Sequence, residues 1–164
     1  MNFGIITNDY LKLFEYMEKA TFAAGCFWGV EAAFEGVKGV ISTRVGYTGG
    51  STPNPTYKNV CSGDTGHAEV VEVEFDPQMI SYEELLEIFW KIHDPTTLNR
   101  QGLDVGTQYR SAIFVHSPDQ EKKARRSKEN ASQNFDKPLV TQIISATRFY
   151  EAEDYHQKYF KKHQ

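Results

Sequence analysis

The chain has 164 residues, 40% of them hydrophobic and 24% charged, with a formal net charge of -4, which suits one domain with a sizeable core. That balance leaves no electrostatic footprint for nucleic acid or an anionic membrane. No apolar run reaches the roughly 18 residues of a membrane span, and no charged start leads into an apolar stretch and cleavage site. There are two cysteines, Cys26 and Cys61, too few for a secreted disulfide scaffold and suited to redox or catalytic use in a reducing compartment, so a soluble cytoplasmic protein is expected.

Residues 1–19 set Leu11, Leu13, Phe14, Tyr16 and Met17 among Asp9, Lys12, Glu15, Glu18 and Lys19, an N-terminal extension that reads as a short amphipathic helix or a partly ordered arm. Residues 20–164 read as a single domain. Ala20 to Ala24 has the character of a buried strand, and Val30, Ala33, Phe34 and Val37 recur at a helical period. Cys26, within Ala23-Ala24-Gly25-Cys26-Phe27-Trp28-Gly29, therefore falls where a strand turns into the first turn of a helix. Unpaired N–H groups and the helix dipole favour an anion there, a setting that lowers a cysteine pKa and gives a nucleophilic thiolate. The other reading is a small buried cysteine that fills space.

Gly36 to Gly39 makes a turn, and Val40 to Tyr47, rich in β-branched residues, a second strand. Thr48 to Thr56, with Gly49, Gly50, Pro53 and Pro55, is expected to be a loop that Tyr57 to Gly66 continues. From Ala68 to Phe75 the chain alternates: Ala68 and Val70 share one face with Glu72, while Glu69 shares the other with Val71, Val73 and Phe75. A carboxylate on an apolar face is unusual, and a register slip would return it to solvent.

Ser81 with Glu84 forms a capping box for a helix whose core face is Leu85, Leu86, Ile88, Phe89 and Trp90. Asp94-Pro95-Thr96 stops it, and Thr97 to Gln108 is a polar, glycine-bearing loop. Tyr109 to Val115 reads as a strand, Ser117-Pro118 opens a charged helix up to about Phe135, Leu139 to Ala146 is the last strand, and Ala152 to Phe160 a closing polar turn or helix. The fold class expected is α+β: one domain, a mixed or antiparallel sheet flanked by helices on one or both faces, with a ferredoxin-like plait at its core.

Gly25-Cys26-Phe27-Trp28-Gly29, Gly46-Tyr47-Thr48-Gly49-Gly50, Cys61-Ser62-Gly63-Asp64-Thr65-Gly66-His67-Ala68-Glu69, Gln108-Tyr109-Arg110-Ser111 and Tyr155-His156-Gln157 together closely resemble the A-type peptide methionine sulfoxide reductases, over roughly residues 21–160. The resemblance implies thiol-dependent reduction of methionine S-sulfoxide, free or in oxidised proteins, as repair of oxidative damage. It places Cys26 as the nucleophile that becomes a sulfenic acid and Glu69 as the proton donor, a role its apolar strand face supports independently by raising its pKa. It places Tyr57 and Tyr109 as phenols that hydrogen-bond the sulfoxide oxygen, and Asp104 as a carboxylate near the thiol that orders a water or the loop. Phe27 and Trp28 match the wall that holds the substrate methyl group.

Many family members carry recycling cysteines near the C-terminus, and Tyr155 to Gln164 contains none. Either Cys61 resolves the sulfenic acid, or an external thiol from thioredoxin, glutaredoxin or a small molecule does so. No bound cofactor, metal, nucleic acid or membrane is expected, and a monomer is. The Gly49 to Pro55 loop looks open enough for broad tolerance of flanking sequence.

Other readings of the same residues stand beside this one. A cysteine hydrolase would pair Cys26 with His67, although no hydrolase signature surrounds the thiol. Zinc held by Cys26, Cys61, His67 and His93 lacks close ligand pairs. A thioredoxin-like site would need cysteine where Gly29 stands, and a peptide-binding module would leave Cys26 inert.

Overall fold

The computed structural model describes residues 16–164. The expected N-terminal helix or arm lies outside the described residues as far as Glu15. The elements in chain order are β1 (Glu18–Ala24), α1 (Phe27–Glu35), β2 (Val40–Thr48), α2 (Tyr57–Cys61), β3 (Ala68–Phe75) and α3 (Tyr82–Lys91). They continue with β4 (Arg100–Gln101), β5 (Asp104–Val105), β6 (Ser111–Val115), α4 (Pro118–Ser132), β7 (Gln142–Ser145), β8 (Tyr150–Glu151) and α5 (Tyr159–Lys162).

The alternating hydrophobic pattern builds a six-stranded sheet in the order β7-β6-β1-β3-β2-β8, antiparallel except for the parallel β6–β7 pair. Within it β6-β1-β3-β2, with α1 joining β1 to β2 and α3 lying between β3 and β6 in sequence, is the expected plait. Phe22 of β1 stacks on Phe34 of α1 at 5.1 Å and on Phe89 of α3 at 5.3 Å. With Val71, Val73 and Phe75 these rings fill the core between sheet and helices. The opposite face is a smaller cluster of Ala23, Ala68, Val70, Ala112 and Phe114, covered by Ala146 and Phe149 rather than by a helix. Glu69 therefore lies on the face that the helices cover, as the alternation predicted.

Several boundaries differ from expectation. Residues 57–61 form the short helix α2 instead of continuing the loop, because Thr56 accepts from the Asn59 N–H while the Asn59 side chain accepts from the Thr56 N–H, a complete capping box. At α3 Ser81 caps the Glu84 N–H, but the Glu84 carboxylate accepts from the Ser81 hydroxyl at 3.2 Å instead of from backbone. The 97–108 loop contains the β4–β5 hairpin and a 3₁₀ turn, Thr107–Tyr109, so Tyr109 precedes β6 instead of opening it. No helix among the described residues is long and apolar enough to cross a membrane.

Candidate active site

The β1–α1 junction sets the site. Pairing of β1 with β3 stops at Phe22–Val71, after which Ala23 and Ala24 pair with β6 alone, and Gly25 turns the chain at φ +93° with Gln101 so close that a Cβ would sit 2.9 Å from its Cγ. Only glycine fits both that backbone and that contact. Cys26 follows as the N-cap of α1, its sulfur unused as a cap for its own helix.

The free N–H groups of the first turn are shared between two reactive side chains. The Phe27 N–H donates to Glu69 Oε1 at 3.2 Å, while the N–H groups of Trp28 and Gly29 act on the Cys26 thiol and favour its anion. That pull, which the helix start led one to expect, is nevertheless outweighed. Burial pushes the Cys26 thiol above its ordinary value, Glu69 and Asp104 add to that, and the two N–H groups do not prevail.

Glu69 is 1% exposed, and its Oε2 has no hydrogen-bond partner. Burial raises its pKa from 4.5 to about 7, against the opposing pull of the Phe27 N–H. Its charge acts on Cys26, Cys61, Tyr57 and Tyr109, so all four lie within electrostatic reach of one buried carboxyl. Tyr109 is pushed up to about 12, first by burial and then by Glu69. Burial and the neighbouring Cys61 push the Tyr57 phenol up as well. Asp104 lies on the exposed β5 strand opposite Gln101 and bears on Cys26, Glu69 and Tyr109. Cys61, the last residue of α2, is exposed, and both cysteines are free thiols.

Phe27 is 1% exposed and packs against Tyr47 at 5.7 Å and His156 at 5.1 Å. Trp28 is half-buried, its indole N–H donating to His156 Nδ1 at 2.9 Å and its ring stacked on Tyr159 at 3.7 Å.

Two residues given no role in the sequence reading complete the surroundings. Glu153 accepts from the Tyr47 hydroxyl and from the Tyr57 N–H, each at 3.0 Å, which fastens the start of α2. His156 touches Phe27, Trp28 and Tyr57. The Tyr155-His156-Gln157 motif was the only signal for His156; Glu153 had none.

The cysteine hydrolase reading loses its base here. His67 Nδ1 accepts from the Gly50 N–H at 2.9 Å and Nε2 faces the Thr52 carbonyl at 2.7 Å, so both ring nitrogens clamp the loop and neither is free to serve Cys26. Burial lowers the His93 pKa to about 4, and its ring nitrogens lie 2.7 Å from the Phe89 carbonyl and from Ser111 Oγ. Among the described residues no group of three or more His, Cys, Asp or Glu is placed to hold a metal ion.

The sequence profile of the family described as peptide methionine sulfoxide reductase matches residues 18–164. The chain belongs to that family. The peptide methionine sulfoxide reductase MsrA of Methanosarcina acetivorans is 60% identical over 150 residues, 90% of this chain and 80% of that one. Among solved structures, reduced Mxr1 from Saccharomyces cerevisiae superposes with a TM-score of 0.86 at 40% identity, covering 90% of this chain and 86% of that one. Mxr1 in complex with Trx2 matches with a TM-score of 0.65 at 27% identity, over 88% and 86% of the two chains. Membership of the reductase family gives the buried acid beside the thiol at the start of α1 its chemical context.

Proposed function

We propose that this protein reduces methionine S-sulfoxide, free or in oxidised proteins, by attack of Cys26 on the sulfoxide sulfur with Glu69 supplying the proton. The observation that carries this reading is Glu69: a wholly buried carboxyl, held at about pH 7 between its two states, fixed by the Phe27 N–H beside Cys26 and with its second oxygen unpartnered.

The Cys26 sulfur, as thiolate, donates its electron pair to the sulfoxide sulfur. Glu69 gives its proton to the sulfoxide oxygen, which ends on Cys26 as a sulfenic acid while the thioether leaves. Cysteine sulfur is oxidised by two electrons and methionine sulfur reduced by two. Tyr57 and Tyr109, whose raised pKa values keep them protonated, donate hydrogen bonds to the same oxygen. Phe27 and Trp28 line the methyl side, and Asp104 orders water or the hairpin at the rim. Selectivity for the S epimer is carried by the family resemblance.

Recovery of the thiol needs a reductant. Cys61 attacks the sulfenic acid, releasing water and leaving a Cys26–Cys61 disulfide, which an external dithiol then reduces. The complex of the relative Mxr1 with Trx2 supports a thioredoxin-type partner; glutaredoxin or a small thiol would meet the same chemical need. The protein acts as a cytoplasmic monomer without a bound cofactor.

The decisive assay uses separated S and R sulfoxides with dithiothreitol on wild type and Cys26→Ser. Wild type is expected to consume the S epimer alone, and Cys26→Ser neither; turnover by Cys26→Ser, or preference for R, overturns the reading.

A further inference from the structure

We propose that His156 is a positioning residue for this reaction, holding the Trp28 indole in the one orientation that completes the substrate pocket. The proposal rests on the reading of Trp28 as a pocket wall.

His156 closes the 3₁₀ turn Asp154–His156 and is 0% exposed. Its Nδ1 accepts the indole N–H of Trp28 at 2.9 Å, across 128 residues of sequence. Since Nδ1 accepts, the hydrogen of the neutral ring sits on Nε2, which is buried and has no partner. Burial lowers the pKa of this imidazole, against the opposing charge of Glu153, and so keeps the accepting form. With its one lone pair committed to the indole, His156 has none with which to act as a base.

Packing fits the same role. The imidazole lies 4.5 Å from the Tyr57 ring and 5.1 Å from the Phe27 ring, centroid to centroid, so it meets three side chains assigned to the pocket. Tyr159, three residues on, stacks on the indole at 3.7 Å with 5° between the planes. A tryptophan at the start of a helix has several rotamers of similar energy. One acceptor and one stacked ring, both from the C-terminal segment, select among them. An apolar replacement of similar size would keep the packing and lose the selection.

The test compares single-turnover kinetics of His156→Leu, His156→Asn, Trp28→Phe and Trp28→Ala on S-sulfoxide, with methionine release as the readout. His156→Leu leaves the part-buried indole N–H without its acceptor and is expected to raise the half-saturating concentration about tenfold, while the saturated rate falls by no more than about threefold. Asparagine places an amide oxygen near the Nδ1 position, so His156→Asn is expected to return within about threefold of wild type. Trp28→Phe keeps a ring without the donor and is expected to reproduce the weakened binding, so the proposal remains testable even where His156→Leu fails to fold. Binding unchanged in both His156→Leu and Trp28→Phe, or no rescue by a folded His156→Asn, overturns the positioning role. Trp28→Ala with unchanged binding overturns the pocket assignment itself, and the positioning role with it.

Discussion

Cys26 and Glu69 titrate as neighbours, because the Glu69 charge raises the proton affinity of the Cys26 thiol and the Phe27 N–H beside Cys26 holds the Glu69 carboxyl. With Glu69 at about 7 and Cys26 held above its ordinary value, the pair carries one proton between those limits, resting mainly on sulfur. The reactive arrangement, thiolate with protonated carboxyl, has the same proton count, so its share is independent of pH across that window. Sulfenic acid formation should therefore rise with pH through about 7 and fall only above the raised thiol pKa. In Glu69→Gln the rate should drop about 10²- to 10⁴-fold, its limb near pH 7 should vanish, and the thiol pKa should fall because a neighbouring negative charge is gone. Stopped-flow single turnovers and thiolate absorbance measure both; an unchanged limb near 7 in the glutamine variant would assign it to another group. The place of Glu69 was legible in the alternation of β3, and the place of Cys26 in the strand-to-helix junction. The direction of the thiol shift was not, because a helix start is visible in sequence while the burial that outweighs it is created by tertiary packing.

At the scale of elements, long periodic segments were legible and short ones were not. The β1, β3, α1 and α3 patterns carry enough repeats to declare a period. The five residues of α2 do not, and among glycines and prolines their only signal was Thr56 followed by Asn59, a capping box with asparagine in place of the usual glutamate or glutamine. The edge strand β8 exists only through its partner, pairing Tyr150 and Glu151 with Tyr47 and Gly46. The missed helix matters because it carries Tyr57 at one end and Cys61 at the other, with Glu153 fastening the Tyr57 end. A helix this short has little internal cooperativity, and its Cys61 end is exposed; the proposed disulfide predicts that this end moves to bring the Cys61 α-carbon within about 7 Å of that of Cys26. One equivalent of S-sulfoxide should thus leave protein lighter by two hydrogens, an internal disulfide, and Cys61→Ser protein heavier by one oxygen. A wild-type protein that keeps the added oxygen would exclude Cys61 as the resolving thiol.

For the molecule as a whole, the C-terminal segment after β8 ties the site to the scaffold, and apart from the Tyr155-His156-Gln157 motif nothing local announces it. The Gln157 side chain bonds Val45 on both sides, accepting from its N–H at 2.9 Å and donating to its carbonyl at 3.0 Å, as a further strand would. Lys158, in a left-handed conformation at φ 53°, places its N–H 2.7 Å from Glu31 Oε1 and its ammonium 3.0 Å from Oε2. Glu31 is 1% exposed, although an acidic residue inside a helical period reads from sequence as solvated. Charges buried by a partner 127 residues away have no signature short of the fold itself. Breaking such a pair strands the enclosed carboxylate. The lysine side chain is 32% exposed, so water recovers part of the cost, and Lys158→Met should destabilise the protein by about 1–3 kcal/mol. Glu31→Gln should cost less, since its amide can still accept from the Lys158 N–H and the charge left unpaired is the ammonium, which is part-exposed and still bonds Thr43. Because Glu153, His156 and Tyr159 lie in the same segment, Lys158→Met should also weaken sulfoxide binding at temperatures well below its melting point. Denaturant titration alongside binding measurements separates the two effects: loss of stability with undiminished binding would show that the segment anchors the fold without shaping the site.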